Sequence, residues 1–367
     1  MNIEIGIIGL PQSGRTTLFN ALTRGEADTA KHTQAGAAHV GIASFADPRL
    51  DTLTDILKPK KTVPITVSYI DIGASVKGLV EGKGIGGQLL AQLSKVDALI
   101  NVVREFQNDS IPHSEGSLDV ARDIAAMNLE MAFSDLAIIE RRLGRIEESL
   151  KGARPAERQP FLREQELLTK IKVSLEGEVP IREQGLTEEE TRAISNFQFL
   201  TAKPLLIVVN IGEDRLPEVE TLEAELNATY ARPKCRVVAL CGKLEMELAQ
   251  LDSETAATWQ AEFGLTESGF ARIVRVSYEL LGLVSFFTIA SSEVRAWPVS
   301  SGTAAPVAAG KIHSDMERGF IRAEVISFDD LVKCGGLAEA RKRGLLRAEG
   351  KTYIVQDGDV ITFLFNV

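Results

Sequence analysis

Apolar and polar positions divide the chain into three regimes. In the first, Ile3–Ile8 is a β-branched, largely apolar run that stops at Gly9, and apolar positions resume at helical spacing over Leu18–Leu22. Strand, glycine-bearing turn and helix form the opening unit of an α/β nucleotide-binding fold. Apolar runs at Val63–Ile70, Ala98–Val103, Leu205–Asn210 and Arg236–Leu240 lack strict in–out alternation. They are expected as strands buried on both faces. Helical stretches separate several of them, so a parallel sheet covered by helices is predicted.

The second regime, Ser117–Asn196, is densely charged. Leu129, Phe133, Leu136, Ile139, Leu143, Ile146 and Leu150 follow one another at steps of three or four, a heptad seam. A breaker, KGARPAERQP over Lys151–Pro160, separates it from a weaker seam through Phe161, Leu168, Ile171 and Leu175. Two seamed helices about a breaker predict an antiparallel hairpin. Pro155 and Pro160 oppose a single long helix, because each removes an N–H and crowds the preceding turn.

The third regime, from about Leu283, is rich in short β segments: Ser285–Ile289, Glu293–Val299, Arg322–Ile326, Thr352–Val355 and Val360–Phe365. With a helix near Phe328–Cys334 they predict a small α+β module, the last strand entered through the QDGDV turn.

Composition narrows the functional classes. With 41 Lys+Arg against 51 Asp+Glu, the formal charge of the 367-residue chain is −10. Duplex DNA is therefore not an expected partner, and contact with RNA has to be local. The basic run Arg341–Arg347 and the hairpin tip with Lys151, Arg154 and Arg158 are the local excesses; a solvated charged face is the alternative reading of both. Cys235, Cys241 and Cys334 have neither disulfide nor zinc spacing. No apolar run reaches membrane-spanning length, and the N-terminus reads as a strand rather than a secretion signal. A cytoplasmic monomer without a membrane partner is expected.

The chemistry concentrates at Gly9-x4-Gly14-Arg15-Thr16, the spacing of the phosphate-binding G-x-x-x-x-G-K-[ST] loop with arginine for lysine. Glycines let successive N–H groups turn toward a phosphate, and the helix behind adds its positive end. Gly9, Pro11, Gln12, Ser13, Gly14, Arg15, Thr16 and Thr17 are assigned to nucleotide binding, with the Thr16 hydroxyl also on a magnesium ion. Arginine keeps the charge of lysine, but its planar fork is not equivalent at a site shaped for an ammonium.

GLPQSGRTTLFNALT resembles the GLPNVGKSTLFNALT of the YchF, or Obg-like ATPase, family. ADPRLDTL, DIGASVKGLVEGKGIGGQLLAQL, VDALINVVREFQNDSIPHSEG, NIGED and the C-terminal EGKTYIVQDGDVITFLFNV carry the same likeness. The resemblance implies a P-loop G-domain over 1–116 and 197–282, a helical-hairpin insertion over 117–196, and a ubiquitin-like β-grasp TGS domain over 283–367. It also implies an ATP-preferring nucleotidase associated with ribosomes. Asp71, ending an apolar strand in Asp71-Ile72-Gly73-Ala74, is expected to hold magnesium, with the Ala74 N–H near the γ-phosphate. Asn210-Ile211-Gly212-Glu213 stands where guanine-selective enzymes have N-K-x-D. Asn210 and Glu213, with Cys241 and Gly242 on the last base-contacting loop, are assigned to the base. His113 matches the family's catalytic histidine, expected to orient water; a solvated loop histidine is the alternative. The first switch has no clear threonine: Ala35 stands at its place, with Thr33 nearby.

Arg15, Ala74 and Ala35 alter three contacts to the γ-phosphate, so two classes stay open. One is a Mg-ATP-dependent nucleotidase with slow or impaired hydrolysis, binding a ribosome or RNA through the TGS domain and hairpin. The other is an inactive adaptor acting through those same parts. A GTP-dependent switch is a third reading, opposed by Glu213.

Overall fold

A computed structural model describes residues 3–23, 38–45, 47–72, 85, 87–108, 110–113, 116–265, 267–290 and 292–366. The twelve strands among them are β1 (Ile3–Ile8), β2 (Ala38–Phe45), β3 (Lys61–Val63), β4 (Ile65–Ile72), β5 (Ala98–Glu105), β6 (Leu205–Ile211), β7 (Cys235–Leu240), β8 (Leu283–Ile289), β9 (Glu293–Ser300), β10 (Phe320–Ser327), β11 (Arg347–Glu349) and β12 (Asp359–Phe365). They build two six-stranded sheets, ordered β2-β4-β1-β5-β6-β7 and β11-β10-β12-β8-β9-β3. Ile3–Ala43 with Ser68–Val276 form one compact unit, and Ser44–Val67 with Ser277–Val367 form another.

In the first unit, β1, β5, β6 and β7 pair in parallel. All seven residues of β6 are buried, as are Ala98–Arg104 of β5, which is why these runs show no alternation. Helix α1 (Arg15–Leu22) follows β1 across the glycine loop. The parallel register brings the carboxyl ends of β1, β5 and β6 to one edge, where α/β sheets bind ligands. The fold is the expected α/β one: a P-loop G-domain sheet, an inserted helical hairpin and a C-terminal β-grasp sheet.

Helices α2 (Pro48–Leu57) and α3 (Gly87–Leu93) come next in the chain, and the two after them, α4 (Val120–Gly152) and α5 (Pro155–Glu176), make the hairpin. Asp119 caps α4 by accepting from the Arg122 N–H, and Pro155 opens α5 at its first position, where no intrahelical N–H is required. The chain breaks only at Ala153–Arg154, and Pro160 lies inside α5. The sequence breaker is thus longer than the structural one: this early in the helix, proline forfeits a single intrahelical bond. Ile139, Ile146, Leu168, Ile171 and Leu175 fill the hairpin core. Leu129 and Phe133 are exposed instead of continuing the seam. Over its first turns α4 faces the sheet, with Ile124, Met127 and Met131 in the sheet's core, and only afterwards turns its apolar stripe to α5.

In the second unit, β8 pairs in parallel with β12 and antiparallel with β9, and β10 is antiparallel to both β11 and β12. Ala305, Ala308 and Ala309 of the helix Ala305–Ile312 are fully buried; their small side chains let its backbone approach the sheet. The expected strand over Val63–Ile70 is split at Pro64. Proline cannot donate to a ladder, so Lys61–Val63 pairs with β9 while Ile65–Ile72 belongs to the other sheet. Thr352–Val355 is not a strand: Ile354 makes an isolated bridge to Ala304, and Arg347–Glu349 pairs with β10. Among the described residues no helix is long and apolar enough to cross a membrane.

Candidate functional site: a glycine loop with an asparagine clamp

The loop after β1 needs glycine twice. Gly9 has φ +150°, and a Cβ there would collide with the Val102 carbonyl oxygen. Gly14 has φ +93°, and a Cβ there would strike the Asn210 amide. Between them Gln12 adopts a left-handed φ of 63° at the exposed crest, beside half-buried Pro11. Gly14 is the N-cap of α1 and offers no side-chain cap, so the first N–H groups of the helix, from Arg15, Thr16 and Thr17, are not taken by one. Uncapped N–H groups at a glycine turn suit an anion.

Asn210 binds this loop to the rest of the sheet. Its Nδ2 donates to the Ser13 carbonyl at 3.1 Å, and its Oδ1 accepts from the Gly242 N–H at 2.9 Å. One buried amide thereby joins three segments far apart in sequence. Cys241, buried ahead of Gly242, has its thiol pKa pushed up by burial. Glu213 lies outside the clamp: its Oε1 accepts from Lys243 Nζ at 2.8 Å, and both side chains are substantially exposed. That bond is the main reason the Lys243 pKa is raised.

At the phosphate end, Thr16 Oγ1 donates to Asp71 Oδ2 at 3.1 Å. Asp71 is buried, and its Oδ1 has no hydrogen-bond partner in the described structure. A hydroxyl beside a buried carboxylate with an unsatisfied oxygen fits a hard divalent cation. No cluster of three metal-binding side chains occurs among the described residues. Burial lowers the Arg15 pKa below its ordinary value, and Asp71 opposes that shift. Arg15 therefore stands in the field of the carboxylate that would share the metal.

His113 is held elsewhere in its surroundings. Its side chain is 5% exposed, its Nε2 lies 2.9 Å from Asp123 Oδ2, and Asp123 also receives Arg122 through its other oxygen. Ala74, Ala35 and Thr33 lie outside the described residues. The loop, Asp71, Asn210 and Gly242 are joined by direct contacts; Glu213 is at the rim.

Two site residues escaped the sequence reading. An ideal Cβ on Gly14 would lie 3.8 Å from Phe106, and one on Gly212 4.0 Å from it, so Phe106 stands between the phosphate loop and the base loop. Arg104, buried two residues earlier, is opposite Asn210 in the β5–β6 register. The available signal was their place at the carboxyl end of a buried parallel strand.

A family model named YchF-GTPase_C, described as "Protein of unknown function (DUF933)", matches residues 283–366. The chain is 41% identical over 370 residues to "Ribosome-binding ATPase YchF" of Bacillus subtilis, covering all of both chains. It is 40% identical to the protein of that name from Escherichia coli O157:H7 over 368 residues, again with full coverage. "Obg-like ATPase 1" of Caenorhabditis elegans is 35% identical over 369 residues, covering all of this chain and 92% of that one. Among solved structures, that of the Schizosaccharomyces pombe YchF GTPase superposes with a TM-score of 0.82 at 27% identity, over 99% of this chain and 98% of the other. A glycine loop, a hairpin insertion and a β-grasp sheet in this order, with full-length identity of this level, place the chain in the YchF family.

Proposed function

We propose that the chain is a magnesium-dependent nucleotide-binding protein that prefers ATP to GTP, hydrolyses it slowly and acts on the ribosome in the cytoplasm. The observation that carries this reading is the pair Thr16 Oγ1–Asp71 Oδ2 at 3.1 Å, with the other Asp71 oxygen buried and unpartnered, at the head of an uncapped helix. Thr16 and Asp71 would hold magnesium, which neutralises phosphate charge when bound. The N–H groups from Gly14 to Thr17 bind the phosphates, and Arg15 adds a cation. The Asn210 clamp fixes the base loop against the phosphate loop, leaving the second Nδ2 hydrogen for a base, with Phe106 as an adjoining wall. Guanine selection by the usual motif needs a carboxylate facing the two donors of the base; Glu213 is instead turned to Lys243. The assignment of His113 to water positioning rests on the family resemblance. Its bond to Asp123 supports an imidazole fixed in orientation.

Ribosome association is supported by the names of the relatives, and the hairpin tip is the better local candidate for RNA phosphate. Lys151, Arg154 and Arg158 are exposed and form no ion pair among the described residues, whereas Arg341, Lys342, Arg343 and Arg347 are paired with acids of their own unit. The adaptor reading is favoured by one observation, Arg15 beside Asp71.

Calorimetric titration with Mg-ATP and Mg-GTP, with single-turnover hydrolysis by the chain and Arg15→Lys, separates these readings. ATP should bind more tightly than GTP, and Arg15→Lys should hydrolyse it on the order of 10²-fold faster. Failure to bind either nucleotide would leave the adaptor, and tighter GTP would overturn the base assignment. Cosedimentation with ribosomes that does not weaken as salt rises would remove the electrostatic role of the tip.

A further inference from the structure

Arg104 has an environment that packing alone does not explain. It is a guanidinium 3% exposed, at the end of β5, with no carboxylate partner among the described residues. Burying a cation without a counter-ion is costly, so the retained group is expected to do something that a hydrocarbon would not. Its Nε donates to the Phe106 carbonyl at 3.1 Å and its Nη2 to the Ile111 carbonyl at 2.8 Å. Its Cζ lies 4.6 Å from the centre of the Phe106 ring. Nη1 is buried with no hydrogen-bond partner.

One planar head therefore grips Phe106 twice, by carbonyl and by ring face, and also fixes Ile111, two residues before His113. The Phe106 ring and the Asn210 amide in turn converge on the same side of Gly14. A lysine at this position has neither the flat face nor two donors on one edge. We infer that Arg104 is a positioning residue for base recognition: it holds the Phe106 ring in the plane from which a purine is stacked, and it acts on the nucleotide only through that ring. The inference rests on the nucleotide-binding reading above.

The test is calorimetry on the full chain with two probes, Mg-ATP and Mg-tripolyphosphate, the second lacking a base. Arg104→Lys should weaken Mg-ATP about tenfold, the scale of one base–aromatic stack, and leave Mg-tripolyphosphate unchanged. In a Phe106→Ala background the same substitution should cause no further loss of Mg-ATP binding. Equal loss of both probes, no loss of either, or an additive loss beyond Phe106→Ala would overturn the positioning role while nucleotide binding stands. Wild-type chain that binds neither probe would overturn both readings. Thermal melting controls for folding, and if Arg104→Lys does not fold, Arg104→Gln, with a planar head and no buried charge, reads the same split.

Discussion

Asn210 uses both ends of its amide on backbone groups of other segments, so its substitutions are not equivalent. Alanine leaves the Ser13 carbonyl and the Gly242 N–H without a partner. Aspartate keeps an acceptor for Gly242 but places a negative oxygen against the Ser13 carbonyl. An unpaired buried polar group costs about 1–3 kcal/mol. Asn210→Asp is therefore expected to be the more damaging, lowering stability by about 2 kcal/mol or more, with Asn210→Ala milder, as read by denaturant unfolding. Either should weaken Mg-ATP in calorimetry. The position of Asn210 at the end of a buried strand is legible in the sequence. Its two partners are not, because they are separated from it by 197 and 32 residues and only the register of β1, β6 and β7 brings them together. Phe106 and Arg104 stand within VDALINVVREFQNDSIPHSEG, yet their meaning lies in what stands across from them, which the segment alone does not show. The loop glycines were readable because backbone geometry restricts residue type locally.

At the scale of elements, the hairpin shows how a periodic pattern can be right about helices and partly wrong about faces. Ile171 is fully buried in the hairpin core, while Leu129, an equal member of the sequence seam, is 37% exposed. Ile171→Ala should cost about 2–4 kcal/mol through lost burial and a residual cavity, and Leu129→Ala about 0.5 kcal/mol or less. Parallel thermal melts check both, and equal effects would refute the division of α4 between two packing partners. The cross-helix fork of Arg142 onto Glu164, 2.7 Å at both contacts, adds geometry more than energy because both side chains are near solvent. The periodicity in the sequence was sufficient to propose two helices and their turn. It carried no information on where α4 exchanges the sheet for α5, since both surfaces are apolar.

At the scale of the molecule, the root of the hairpin is tied by a buried acid. Asp135 accepts from the Leu200 and Thr201 N–H groups and from the Thr201 hydroxyl. Burial raises its pKa to about 6 against 3.8, the hydrogen bonds from Thr201 and Leu200 and the nearby Lys203 opposing the shift. Between about pH 4 and pH 6 the folded chain then binds more protons at this site than the unfolded chain, so its contribution to stability falls as pH rises and levels off above the folded value. The stability difference between wild type and Asp135→Asn should therefore decline across that window, by about 1 kcal/mol per pH unit, as measured by unfolding at several pH values. A difference that rises with pH would contradict the burial argument. By itself the sequence determined the order of parts: a glycine loop after a β-branched strand, a seamed helical insertion and a short-stranded C-terminal module. Each of these is written in local periodicity or in residues whose backbone limits are intrinsic. Only the tertiary structure decided that Lys61–Val63 joins the C-terminal sheet, that Asn210 clamps two loops, and that Arg104 lies under Phe106. Those outcomes depend on strand register and on which buried polar groups find partners, and neither is fixed until the whole chain is packed.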